Sequence, residues 1–486
     1  MSFLDSHVRE IGSRAEAPSP IQNLSPRLDR PNRKGFGAEL MKRNRFLRGC
    51  LVVILFFAAL FLACWFWVDI PFASHDLGRE WARAEKNGFP LTADALKPPV
   101  PVRPEDNAAP LLGRAVALVD SRFAWQLQTL EQPVKAHGPT PAQRDGAIAK
   151  AGPALDLLAK AVEKPRLWVQ RDYDLLIELQ FPEYKVYKGL VHALCVRAEA
   201  KALKGDLPGA ISDLRVGRRL SVLISTEPTL IGQLVAIALD KLVDLRVERI
   251  GALLIANAPE LALLRKQVVE ADPLETDLRI ALRAEMYRSL TITRNGHRYG
   301  MGFNRRTDAQ DEQPVIDKSA PIVRTGQPTA ILARADLARA MAGWNDLLES
   351  PEWRSGSALP ISRVQQRIAE RLYEQGAHKL SYLAIGELLP EFTYAGSTLV
   401  QADEQRVTLD CLLKALEYHA LHGSYPRTLA QAGADAPDPF LEAGRLTYMA
   451  TPSSVKVWSV GRNGKDDGGD PTDGKDVVAM YPPRRE

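Results

Sequence analysis

Apolar positions along this chain change their spacing three times. From residue 49 to 68 the sequence GCLVVILFFAALFLACWFWV is unbroken and carries no charge. Twenty residues rising ~1.5 Å each match the ~30 Å hydrocarbon core of a bilayer, so the run predicts a transmembrane helix. From about Asp106 to Pro390 the spacing is helical. DNAAPLLGRAVALVD (106–120) places Leu111, Leu112, Ala115, Leu118 and Val119 on one face. LVHALCVRAEAKALKGDLPGAISDLRVGRRL (190–220) predicts two amphipathic helices around a GDLP turn. EPTLIGQLVAIALDKLVDLRVERIGALL (227–254) is apolar on nearly all sides and predicts a central core helix. Helical patterns return at 329–349 and 361–388. Past residue 400 the period changes again. Leu409, Leu412, Leu413, Leu416 and Ala420 keep helical spacing up to Gly423 and Pro426, and then RLTYM (445–449), VKVWSV (455–460) and VVAMY (477–481) are short β-type runs. The fold class expected is mainly α: a membrane-anchored helical body plus a small C-terminal α+β unit, one helix on an antiparallel sheet.

These patterns divide the chain into a basic tail over 1–48, the transmembrane helix 49–68, a Pro-rich spacer 69–105, a helical domain 106–390 and a C-terminal domain 391–486. Residues 1–35 have no sustained periodicity and read as disordered. KPPVPVRP (97–104) reads as a stiff, extended spacer. The polar stretch 294–328 is too long for an ordinary connection, which makes it functional or disordered. The helical pair 190–220 is similar to one tetratricopeptide unit, but no copy stands 34 residues to either side, which favours a plain hairpin.

Charge orients the span. The whole chain has 63 basic and 59 acidic residues, and gives no reason to expect nucleic acid. Residues 1–48 hold 10 basic against 5 acidic residues, whereas Asp69 and Asp76 follow the apolar run. Positive charge stays inside, so the N-terminus is expected in the cytoplasm of a bacterium, the span in the inner membrane and the bulk in the periplasm. A 48-residue leader and a 20-residue core argue for an uncleaved anchor over a signal peptide.

Catalytic signatures are missing. No G-x-S-x-G elbow, HExxH, Walker A loop or dinucleotide fingerprint occurs. His419 and His422 lie one turn apart with no third ligand, which favours surface histidines. Glu183 in FPEYK is an acid in an aromatic setting, and no partner is visible for it. Cys50 and Cys64 fall in the span; Cys195 and Cys411 lie in apolar helical patterns, where two buried thiols and one disulfide both stay open. A non-enzymatic protein is expected; a membrane-anchored envelope hydrolase with its site in the helical domain is the alternative.

One stretch is chemically specific. GRNGKDDGGDPTDGKD (461–476) sets five aspartates among five glycines between the last two strand patterns. Such crowding needs neutralising, and a bound cation and a solvated acidic turn are the two readings. Ala415-Leu416, Tyr418, Gly423-Ser424-Tyr425-Pro426, Asp438-Pro439-Phe440, Tyr448, Trp458-Ser459-Val460-Gly461, Gly464, Gly468-Gly469 and Asp476-Val477 follow in order. In that order the stretch from about 400 to 482 resembles the C-terminal domain of the type II secretion major pseudopilin. The resemblance implies calcium held structurally in the loop, with Asn463, Asp466, Asp467 and Asp476 nearest the family pattern and Asp470 and Asp473 as further candidates. Asn463 stands where that family has Asp, and one extra residue precedes Gly468-Gly469. The resemblance also implies protein partners of a type II secretion or pilus-like system. GFGAEL (35–40) is no pseudopilin cleavage site, because KRNR interrupts the helix that would follow.

Overall fold

The computed structural model describes residues 53–60, 70–130, 138–274, 277–295, 328–375, 389–441, 444–472 and 475–483. The tail 1–48, most of the expected span, nearly all of the 294–328 loop, and Asp473 lie outside these residues. The chain divides into two units, Met1–Asp69 and Ile70–Glu486. In the first, residues 53–60 are helical, and Val53, Ile54, Leu55, Phe56, Phe57 and Leu60 are all exposed. No helix among the described residues is long and apolar enough to cross a membrane.

The second unit is mainly helical with a small three-stranded sheet. Its helices are α1 (Ile70–Lys86), α2 (Ala109–Ala117), α3 (Ser121–Gln128), α4 (Pro141–Val162), α5 (Pro182–Leu203), α6 (Leu207–Ser225), α7 (Leu230–Leu253), α8 (Ala258–Leu264), α9 (Leu278–Asn295), α10 (Pro328–Glu349), α11 (Pro351–Ser355), α12 (Ala358–Gln375) and α13 (Leu389–His422). β1 (Thr447–Thr451), β2 (Ser454–Ser459) and β3 (Val477–Tyr481) follow. They pair antiparallel in the order β1-β2-β3, with Trp458 opposite both Thr447 and Val478.

Local chemistry sets the boundaries. Thr140 and Gln143 form a reciprocal capping box at the start of α4. Asp206 accepts from Gly209 N at 3.0 Å to open α6, and Gly205, at φ +83°, makes the turn a side chain would resist. Thr229 caps α7 through Gly232 N at 3.1 Å. The expected hairpin and central helix are therefore present as α5, α6 and α7, packed in sequence.

The 69–105 stretch is more than a spacer. Its first half is α1, which packs along α10. Arg83 of α1 reaches Glu349 at 2.7 Å and Asp346 at 3.0 Å, while the Asn345 amide donates to the Glu80 carbonyl at 2.9 Å. These partners lie more than 250 residues apart in sequence. The C-terminal sheet is no separate appendage either. α13 packs on α7, α8, α12, β2 and β3, and one hydrophobic core runs from Ala84 to Ala479. A Cβ added to Gly251 of α7 would come within 2.8 Å of Leu413 Cδ2 on α13, so glycine sets how closely these helices meet.

Candidate functional site

α7, α13 and β3 enclose a cleft of about 570 Å³, the size of a ligand or peptide site. Leu234, Ile237 and Ala238 supply an apolar wall from α7; Tyr394, Thr398 and Gln401 face them from α13; Val477 and Val478 of β3 close one side. Charge enters at one-turn intervals along α7, where Asp240, Asp244 and Glu248 line the cleft with Lys241 and Arg249. Asp476, from the Asp/Gly loop, also lines it.

The floor is an ionic trio. Arg218 of α6 is fully buried, with Nη1 2.6 Å from Asp240 Oδ1 and Nη2 2.5 Å from Asp244 Oδ1. Burial pushes the Asp244 carboxyl up to about 6 against the opposing pull of Arg218, and the neighbouring Asp240 charge adds to the rise. Burial works against the Arg218 charge, but the two aspartates outweigh it and raise its pKa. Neither carboxylate is presented to the cleft as a solvated group, since Asp240 is 3% exposed and Asp244 2%.

The Asp/Gly loop, joining β2 to β3 as expected, neutralises its carboxylates from within. Asp476 is buried and accepts from Gly469 N at 2.7 Å, Asp470 N at 3.1 Å and Asp467 N at 3.4 Å. Asp466 accepts from Trp458 Nε1 and Gly468 N, both at 2.9 Å, which lowers its pKa. Asp470 is held below the usual carboxylate range by the Thr472 hydroxyl at 2.5 Å, Lys475 Nζ at 2.9 Å and Thr472 N at 3.0 Å. Asn463 Nδ2 donates to Asp467 Oδ2 at 2.7 Å. Gly469 must be glycine: its φ is +74°, and an added Cβ would strike the Lys456 chain at 2.5 Å. The oxygen donors are of the kind calcium takes. In this arrangement they are spent on N–H and O–H groups, and among the described residues no three of His, Cys, Asp and Glu are disposed to hold an ion.

Other sequence candidates fall elsewhere. Glu183 does have a partner: its Oε1 lies 2.6 Å from Arg171 Nη2, which also holds Glu227 at 2.8 Å, with the Tyr184 hydroxyl donating to Glu227 at 2.9 Å. Burial raises the Glu227 pKa despite Arg171. This cluster joins the segment before α5 to the α6–α7 turn and adjoins a smaller pocket of about 180 Å³ lined by Tyr173, Phe181 and Tyr287. His422 stacks on Tyr418 at 4.0 Å and His419 packs at a tilt against Tyr425 at 4.3 Å. Cys195 and Cys411 are buried thiols not joined in a disulfide, and their Sγ atoms lie near different carbonyls, Leu242 O and Ala434 O.

Comparison with family models, curated proteins and solved structures finds no match to this chain.

Sequence reasoning missed the trio and one further acid. The trio left a signal: Asp240 and Asp244 stand one turn apart on a helix whose other buried positions are mostly apolar, and buried carboxylates need a cation. Glu404 on α13 left none. It is 3% exposed, its Oε1 has no hydrogen-bond partner, and burial beside Asp438 pushes its carboxyl up to about 8.

Proposed function

We propose that this chain is a single-pass bacterial inner-membrane protein with its N-terminus in the cytoplasm. Its extracytoplasmic helical body and pseudopilin-like end hold a protein partner in the cleft between α7, α13 and β3, without catalysis. The observation that carries this reading is the state of the cleft's carboxylates. Asp240 and Asp244 are clamped on Arg218 and Asp476 is spent on backbone N–H groups, so they shape a binding surface instead of offering a free acid or base. Anchoring is supported by residues 53–60: six large side chains of Val, Ile, Leu and Phe on one exposed helical stretch are poorly placed in water and well placed in lipid. The resemblance of residues 400–482 to a pseudopilin head points to a type II secretion or pilus-like apparatus as the source of the partner. Calcium in the Asp/Gly loop belongs to the same reading, with Asn463, Asp466, Asp467, Asp470, Asp473 and Asp476 as its ligand pool and stability as its effect.

A photo-crosslinking residue at Thr398, inside the cleft, tests the reading in intact envelopes against one at Leu203, which is exposed on the opposite end of α5 from its capping proline. The expected result is a discrete crosslinked species containing secretion or pilus components from Thr398 only. Equal, diffuse crosslinking from both positions overturns it. The hydrolase reading is favoured by one observation, the raised carboxyl of Asp244 at a cleft floor. It requires that Asp244→Asn abolish an activity that the crosslinking variant retains.

A further inference from the structure

One wall of the cleft is a strand edge, and the register of the sheet says which of its backbone groups are spent. A two-residue turn, Pro452-Ser453, joins β1 to β2, so Thr451 and Ser454 form a hydrogen-bonded pair and the pattern alternates from there. Carried across β2, it turns the N–H and C=O groups of Val477, Ala479 and Tyr481 toward β2. Those of Val478 and Met480, and of Asp476 just before the strand, point away from the sheet. Two contacts agree with this phase. Met480 N donates outward to Glu248 Oε1 of α7 at 3.4 Å, and Asp476 N donates to Asp470 O at 2.9 Å.

Val478 lies between these two filled positions, about 7 Å from each along the strand, and lines the cleft. Among the described residues its outward N–H and C=O have no partner. Val478 is only 9% exposed, and unpaired backbone groups at so buried a position cost free energy that a second strand recovers.

The surroundings limit what can be added. Both flanking N–H groups are taken by this chain, so an added segment pairs through one residue and needs about three in extended form. The apolar wall of Leu234, Ile237 and Ala238 suits an apolar side chain on that segment. No charge is called for. Asp240 and Asp244 hold Arg218, Glu248 accepts from Met480 N, and Lys241 and Arg249 share the lining with Glu248 and Asp476.

We infer that the cleft takes an extended, uncharged segment of a partner protein by strand addition, the segment's backbone pairing with Val478 on the free edge of β3. This rests on the cleft being the partner site, and it names how the partner is held there: by main chain first, by an apolar side chain second.

Full-length protein in nanodiscs is titrated with the capped pentapeptide Ala-Val-Thr-Val-Ala and with the same peptide N-methylated at every residue, which has no backbone N–H to donate. The first is expected to bind saturably at about millimolar concentration or below, with little response to added salt. The second should bind roughly tenfold more weakly, or worse. Val478→Pro removes the outward N–H and no ladder bond, at an edge position where proline is tolerated. It should keep the parent's hydrogen-exchange protection at Val477 and Ala479 and lose about tenfold in affinity. Val478→Ala trims the side chain, keeps the N–H and should bind nearly as well as the parent. The peptide pair on unaltered protein decides the matter even if Val478→Pro misfolds. Equal binding of the two peptides, or no saturable binding of the first, overturns strand addition and leaves the cleft reading to the Thr398 crosslink. A dimer in sedimentation that Val478→Pro dissolves overturns it too, since the edge would then belong to a second copy.

Discussion

On α6 and α7, Arg218 sits between Asp240 and Asp244 with nothing but protein around it; in the loop before β3, Asp476 is as deeply buried and meets three backbone N–H groups. Both places bury carboxylates, but they are stabilised in different ways. The trio depends on a side-chain charge, so removing its one cation leaves two buried anions. Asp476 depends on backbone dipoles fixed by chain geometry, which no change to a donor's side chain deletes. The helical body should therefore fail sharply when its charge is cut, and the loop should fail locally.

The largest break is expected at Arg218. Arg218→Met keeps much of the side-chain volume but strands Asp240 and Asp244, and should cost about 3–5 kcal/mol in chemical denaturation. Adding Asp240→Asn and Asp244→Asn should recover most of that loss. If the triple variant stays as unstable as the single one, packing and not charge is what Arg218 supplies.

Glu404 comes next, as a carboxyl with neither solution. Asp438 on the 437–440 turn and Asp403 beside it on α13 both disfavour its charge, and Asp438 already takes Ser459 Oγ, Val460 N and Phe440 N for itself. Its folded pKa of about 8 lies above the ordinary carboxylate value, so folding favours the protonated form. Stability from this group is complete below the unfolded pKa and is lost as pH rises toward and through 8, roughly 2–4 kcal/mol in all. Glu404→Gln should flatten that part of the stability–pH curve and raise the melting temperature at pH 8. An unchanged slope in Glu404→Gln would move the source elsewhere.

How much of this could be read beforehand follows the same division. Apolar spacing located α5, α6, α7 and all three strands, because burial of a stripe is a local property of sequence. It also led to the Asp/Gly loop between β2 and β3. What spacing could not supply was partners. Arg218 precedes Asp240 by 22 residues, Arg83 and Glu349 are 266 apart, and Glu183 finds Arg171 only when the segment before α5 folds back. The Pro-rich signal at 97–104 says nothing of α1, whose Glu80 and Arg83 meet Asn345, Asp346 and Glu349 of α10. Backbone donors are more hidden still. The loop's aspartates looked uncompensated because Gly468, Gly469 and Asp470 N–H groups have no letter in a sequence, although the glycines that aim two of them do.

Asp476→Asn tests the loop directly. It replaces an anion that receives two close N–H bonds with an amide whose NH₂ end must face a donor, an expected cost of about 1–3 kcal/mol. Hydrogen exchange should show loss of protection confined to residues 466–470 and the start of β3, with α6 and α7 unchanged. Spread of the effect into α7 would mean that the loop and the trio form one cooperative unit.

Calcium gives the smallest expected effect and the finest division between the two regions. If the loop exchanges some of its internal donors for an ion, it neutralises charge as the helical body does, with a cation, and stability follows mass action: about 1.4 kcal/mol when calcium stands at ten times its dissociation constant. Asp467 is the position to use, because among the described residues its carboxylate is met only by the exposed Asn463 amide. Asp467→Ala should melt with the parent when a chelator is present and fall below it when calcium is added. Asp476→Ala should be less stable in both conditions, since its N–H partners are lost with or without the ion. Parent melting that is identical in calcium and chelator would leave the loop neutralised by its backbone alone, and the repulsion that first suggested an ion would already be answered by glycine-aimed N–H groups.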